Sequence, residues 1–456
     1  MTTSTPGIWS NARYVLWLIS DTAKGLGTSL FAFAIPLVAL FVTDSPAQAG
    51  IIGGVGMAVR LVTTLFGGVL ADRHSRIAMM LLGASIATAL SLGFTVLASA
   101  DALTFATLLL VEVLLAARSG AFEPASESAI KEIVPDEMMG RAQAANQGRD
   151  AALQLAGGPL GGLLLAAGAW LVGVVMTVAY AAAAIMAWML RGRMSREAGA
   201  GPIPGRGGDV AEPAATDTSA TAAPPASAPP ASARRPSALR EMREGFTWLF
   251  ARPDLGGVLA IVTVINLGFN AGSTTVIYAL QQNGHSEFTI GLIAAAIGAV
   301  MLVGAMFAPR IVTRVGAGVL TITGLCVAAA GVIALSAVHE PWAIALVFGA
   351  AVFLLPALNA GMMGYFMVAT PTHLLGRANS AAGVLGMGAM PLAPLIAGFG
   401  LSLAGRTPTI LFCGALCLVA VLLAVINRPL RSLPAEAGWA AHARQFEVAE
   451  APAPLR

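Results

Sequence analysis

Twelve stretches of this chain are apolar for long enough to cross a lipid bilayer, and that requirement leaves few folds open to it. A hydrocarbon layer about 30 Å thick takes about 20 helical residues at 1.5 Å each. Runs of that order lie at 14–42, 49–71, 77–100, 102–122, 143–166 and 169–190, and again at 255–280, 288–309, 316–338, 341–368, 378–402 and 407–427. Backbone groups in lipid must bond within their own segment, so each run is expected as a helix. Only 11% of residues are charged and 57% are hydrophobic, against about a quarter charged in soluble domains. The N-terminal stretch leads straight into the first run with no separate cleavage site, so that run is expected to be a retained helix.

The loops divide sharply by charge. Arg13, Arg73, Arg76, Lys131, Arg141, Arg191, Arg193, Arg252, Arg310, Arg314, Arg377 and Arg428 fall on one side of the predicted bundle, whereas the opposite loops contain only Arg406. The positive-inside rule therefore puts both termini and the long central loop in the cytoplasm, as expected of a bacterial-type inner-membrane protein. The basic residues form no single face, which argues against a nucleic-acid partner. Residues 1–190 are read as one six-helix bundle and 253–428 as a second. Between them, 191–236 is a Pro/Ala/Ser-rich cytoplasmic linker that cannot bury enough apolar area to order itself. Residues 237–252 place Leu239, Met242, Phe246 and Leu249 on one helical face, an amphipathic helix expected on the inner leaflet, and 429–456 is a cytoplasmic tail. Cys326, Cys413 and Cys417 all lie in apolar runs without zinc-ligand spacing and are read as buried small residues, so no metal or other cofactor is expected.

The two bundles share a repeat. VPDEMMGRAQ at Pro135 and ATPTHLLGRANS at Pro371 both place P-x-x-apolar-apolar-G-R-A at the start of the fifth helix of their half, 236 residues apart. Matching motifs in matching places argue for two parallel six-helix repeats, with substrate at their interface near the membrane midplane. Between the second and third runs stands Gly68-Val-Leu-Ala-Asp72-Arg73-His74-Ser75-Arg76. It resembles the signature loop of the major facilitator superfamily, with Ser75 in place of a second glycine and Ile77 in place of the last basic residue. The resemblance implies a gating role for Gly68, Asp72, Arg73 and Arg76, the glycine allowing close helix approach and the charges holding the cytoplasmic side closed. It extends over nearly the whole chain. Phe122-Glu-Pro124-Ala125, Gly158-Pro159-Leu-Gly161-Gly162 and REMREGFTWLFARPDL look like the branch of siderophore and macrolide exporters. Gly158, Pro159 and Gly162 resemble the fifth-helix antiporter motif, a hinge and packing element, which favours export.

Ionisable groups at membrane depth are costly and mark substrate or ion pathways. Here they are Asp21 and Lys24, Arg60, Glu112 and Arg118, and Arg149 with Asp150, while the third, sixth, ninth and twelfth runs have none. In the family these four are outer helices, and the first, fourth, seventh and tenth line its cavity. Arg60, Thr63, Thr64 and Gly67 form a polar small-residue stripe, read as a packing seam between halves. No cation stands three or four residues from Glu112, which makes it the first proton-coupling candidate and Asp21 the second. Lys24, Arg60 and Arg118 are their candidate charge partners, so a salt bridge from Glu112 to either arginine is the alternative. Asn266, Asn270, Tyr278, Asn359 and Tyr365 are neutral substrate-cavity candidates. No P-loop, metal cluster or nucleophile motif appears, so an enzyme is not expected. The reading is an all-α membrane transporter of twelve helices, acting as a monomer, that expels a small amphipathic molecule in exchange for protons; an uptake permease or lipid translocator on the same scaffold is the alternative.

Overall fold

The computed structural model describes Trp9 and residues 11–135, 138–199, 246–371 and 374–446; of Asp72, only the backbone. Twelve apolar spans are found among these residues. The N-terminal six are α1 (Ala12–Thr43), α2 (Pro46–Arg73), α3 (Arg76–Ser99), α4 (Phe105–Ile133), α5 (Met139–Ala167) and α6 (Ala169–Gly199). The C-terminal six are α7 (Pro253–Gln282), α8 (Glu287–Arg314), α9 (Ala317–Ala334), α10 (Pro341–Val352 with Leu355–Ala369), α11 (Leu375–Gly388 with Leu392–Ala404) and α12 (Arg406–Ile426). Two spans outrun the apolar pattern: α4 continues past residue 122 to Ile133, and α6 continues nine residues beyond 190 into what was expected as linker.

Local chemistry sets the ends and breaks of these helices. Ser45, Ser75, Thr104 and Ser286 each accept a hydrogen bond from a first-turn amide of α2, α3, α4 and α8, which satisfies donors that a helix start leaves open. Asn11 caps α1 and also donates to the Ile133 carbonyl at 3.0 Å, tying the start of α1 to the end of α4. The breaks in α10 and α11 fall beside Pro356 and Pro391, which lack the amide hydrogen a continuous helix would use.

Within the N-terminal half α2 packs on α4 and α6 packs on α1 and α3; in the other half α12 packs on α7 and α9, and α8 on α10. The halves meet along two helix pairs, α5 with α8 and α2 with α11. Under the repeat α5 corresponds to α11 and α2 to α8, so the two seams are copies of one contact, as parallel repeats require. Large apolar side chains such as Phe41, Trp188, Leu403 and Phe412 stand exposed around the outside, where lipid would cover them. Cys326 lies on such an outer face and is exposed, a correction to its expected burial, whereas Cys413 and Cys417 are buried. In a membrane helix an apolar neighbourhood does not distinguish lipid from protein.

The segment after α12 folds back on the C-terminal half. Short helix α13 (Arg428–Arg431) packs against α7, α9 and α12, and α14 (Trp439–Arg444) covers the base of α10, with the Trp439 ring 6.5 Å from Tyr365. The predicted interfacial helix is described only from Phe246, and there Leu249 is fully buried in the C-terminal core. At that position the apolar face meets protein where lipid was expected.

Candidate functional site

The two seams close only the end of the molecule with few charged loops. On α5, Gly158 lies against the Gly291 carbonyl and Gly162 against the backbone of Glu287 and Phe288 on α8, approaches that a side chain would prevent. On α2, Gly50 lies against the Pro394 carbonyl of α11. Gln281 of α7 donates to the Leu37 carbonyl of α1 at 2.7 Å, a third tie at that end. Toward the basic end the same helices part, and Gln143, Gln147 and Asp150 on α5, Thr64 on α2 and Asn379 on α11 are exposed.

Just beneath the closed end lies a cavity of about 190 Å³ between the halves. It is lined by Thr28 and Ile35 of α1, Gly56 and Arg60 of α2, Glu112, Arg118 and Ser119 of α4, Tyr180 of α6, Thr274 and Tyr278 of α7, and Pro394 of α11. Glu112 is 8% exposed and its Oε2 has no hydrogen-bond partner among the described residues. Gly56 makes its place, since a Cβ there would meet the carboxylate. Neither arginine pairs with it: Arg60 bonds Glu123 at 2.8 Å, and Arg118 stacks over the Tyr180 ring with its Cζ 5.2 Å from the centroid. Both unpaired groups are therefore buried beside one small space.

Asp21 is placed quite differently. One oxygen meets Lys24 and the Ser126 hydroxyl, which donates at 2.8 Å, while the other meets Arg149 of α5 at 2.7 Å. Arg149 in turn lies 5.7 Å from the Trp17 ring centroid and bonds Asp150. This carboxylate ties α1, α4 and α5 together, and the distant partner Arg149 was not visible in local spacing.

Several sequence candidates lie elsewhere. Tyr365 does not line the cavity: its hydroxyl donates to Asp254 at 2.6 Å at the basic end, where Arg252 clamps the same carboxylate with bonds of 2.9 and 2.7 Å. The Arg252–Asp254 pair was missed, although both charges stand at the start of α7. Burial works against the Arg252 charge, yet the hydrogen bonds and charge of Asp254 outweigh it and hold the guanidinium more firmly protonated than usual. Asn266 donates across to the Gly386 carbonyl of α11 at 3.4 Å, and Asn270 donates within α7 to the Asn266 carbonyl at 2.8 Å; Asn359 is exposed on α10. The Arg60 stripe packs within one half, where Gly67 meets Gly120 of α4, and so is not the seam between halves. A Cβ on Gly68 would meet nothing within 4 Å, so its expected close approach is not made in this conformation. Arg73 is exposed and Arg76 pairs with Glu132 of α4 at 3.4 Å. Among the described residues no cluster of His, Cys, Asp or Glu could hold a metal ion.

The family model described as Major Facilitator Superfamily matches residues 19–386. No curated protein matches the chain. Among solved structures, a bacterial homologue of the iron transporter ferroportin in its inward-facing state is similar with a TM-score of 0.67 at 16% identity, covering 94% of this chain and all of the other. A bacterial homologue of the human lysosomal transporter Spinster, inward-facing and unoccupied, gives 0.61 at 14% identity over 97% of this chain and 98% of its own. A D-xylose–proton symporter gives 0.59 at 15% identity over 92% and 98%. At these identities the likeness is one of fold.

Proposed function

Because the chain belongs to the major facilitator superfamily, whose members carry out secondary active transport by alternating access, we propose that it is a proton-coupled antiporter exporting a small amphipathic molecule across a bacterial cytoplasmic membrane. The observation that carries this is Glu112, a buried carboxyl whose Oε2 has no partner among the described residues, in a cavity shared by the two halves. A carboxyl can take up or release a proton as the charges around it are brought nearer or moved away. The groups that face it are Arg60 of α2, Arg118 of α4, Tyr180 of α6 and Tyr278 of α7. Rocking the halves changes those distances, so proton binding and opening direction become linked.

Export is supported by the fifth-helix glycines and by the branch of siderophore and macrolide exporters that the loop motifs resemble. The fold alone fixes neither direction nor substrate, as a D-xylose–proton symporter among the structural neighbours illustrates. With the basic end taken as cytoplasmic, the parted helices admit substrate from inside the cell, and the glycine contacts of α5 with α8 form the outer seal. Gly68, Asp72, Arg73 and Arg76 then act in the opposite conformation, when the basic end closes.

A susceptibility and accumulation screen of a deletion strain against an overexpressing strain identifies an exported compound. Its uptake into inside-out vesicles is then followed with and without an acid-interior gradient. Wild-type uptake should collapse with the gradient, and Glu112→Gln should be indifferent to it at equal abundance. A variant that follows the gradient as the wild type does removes Glu112 from coupling, and accumulation only in right-side-out vesicles reverses the direction.

A further inference from the structure

Three side-chain atoms on one stretch of α4, Glu112 Oε2, Arg118 Nε and Ser119 Oγ, are buried without a hydrogen-bond partner among the described residues, and their residues line the same cavity. Buried polar atoms are almost always satisfied, so three together call for a partner that the chain does not supply. The other cations at this depth are accounted for: Lys24 and Arg149 on Asp21, and Arg60 on Glu123. Arg118, 6% exposed, stacks on the Tyr180 ring and forms no ion pair among the described residues. An arginine does not shed its proton, and an uncompensated buried ion costs several kcal/mol. Glu112 can escape that cost by taking a proton; Arg118 cannot.

We propose that the cavity receives the head of an amphipathic zwitterion, with its acidic group on Arg118 and Ser119 and its basic group on Glu112. The two charges stand six residues apart on one helix, about 9 Å along the axis, a gap that a headgroup bearing both signs bridges with an ion pair at each end. Ile35, Phe31, Met57 and Leu115 supply apolar walls for the rest of the molecule. The second contact rests on the antiport reading above: the basic group and the proton exclude each other at Glu112, whereas the acidic group needs only Arg118.

The test uses purified protein in nanodiscs at neutral pH with no gradient, and four eight-carbon probes: 2-aminooctanoate, octanoate, octylamine and 1-octanol. Saturable binding of 2-aminooctanoate should exceed that of 1-octanol by about tenfold or more, the size of one charge-assisted hydrogen bond. Arg118→Gln should weaken the two acid-bearing probes more than octylamine, and Glu112→Gln the two amine-bearing probes more than octanoate. Arg118→Lys, which keeps the charge, should retain the preference for acid-bearing probes and guards against a misfolded glutamine variant. Equal binding of all four probes by the wild type, or an unchanged ranking in Arg118→Gln, overturns the proposal. Headgroup-blind binding alongside gradient-driven transport defeats this inference alone, and headgroup-selective binding with gradient-insensitive transport defeats the antiport reading alone.

Discussion

Asp21 and Glu112 are two carboxyls at membrane depth with opposite surroundings, and the same chemical change should affect them in opposite ways. Asp21 is held by Lys24, Arg149 and Ser126, so Asp21→Asn leaves two cations with a neutral amide in place of their counter-ion. Breaking such a buried network costs about 3 kcal/mol or more. Among the described residues Glu112 Oε2 has no partner to lose, and Glu112→Gln removes a titrating group without stranding another. We expect the Asp21 variant to melt well below the wild type in detergent and the Glu112 variant to melt at or near it. Equal losses would mean that Glu112 also has a structural partner. Local spacing presented the two residues as substitutes for one role; it revealed Lys24 on the next turn and missed Arg149, which lies 128 residues away in sequence.

Among the helices, the segment after α12 does more than trail from the bundle. Trp439 is 4% exposed, and a Cβ on Gly364 of α10 would meet its ring. Arg252, at the start of α7, donates to the Ala443 carbonyl at 3.3 Å and to the Ala369 carbonyl at 3.5 Å. The arginine thus joins the start of α7, the end of α10 and the C-terminal segment. Trp439→Ala should lower the stability of the C-terminal half by about 3 kcal/mol, as for other large buried aromatics. Denaturant unfolding followed with a probe in each half would measure it, and a loss confined to the N-terminal half would contradict the packing. The sequence marked Tyr365 as a cavity residue because it lies on an α10 helix that lines the cavity in the family. Its rotation about the helix axis instead points the hydroxyl at Asp254.

For the whole molecule, the two seams bring glycines into close backbone contact at one end. Replacing Gly291 with leucine would drive a side chain into the Gly158 carbonyl and so disfavour the conformation closed at that end. The population should shift toward the opposite opening, and a shift of about 1.4 kcal/mol is tenfold. With Cys326 replaced by serine, a cysteine at the exposed Gln147 should react quickly with an impermeant thiol reagent applied from the basic end, and several-fold more slowly once Gly291→Leu is added. Unchanged reactivity would show that the α5–α8 contact does not set the opening direction.

The sequence by itself determined the twelve spans, the two repeats and the charge asymmetry of the loops, because each depends on quantities local to the chain. A span needs a certain length of apolar residues, a loop its own arginines, and a repeat its own motif. The tertiary structure alone decided that Arg60 belongs to Glu123, that Arg149 belongs to Asp21, that Tyr365 leaves the cavity, and that Glu112 Oε2, Arg118 Nε and Ser119 Oγ lack partners among the described residues around one space. Those outcomes turn on the rotation and depth of each helix against its neighbours. In a soluble helix an apolar stripe would reveal the buried face, but in a membrane helix the faces toward lipid and toward protein are equally apolar, so the partner of a buried charge is fixed only when the helices pack.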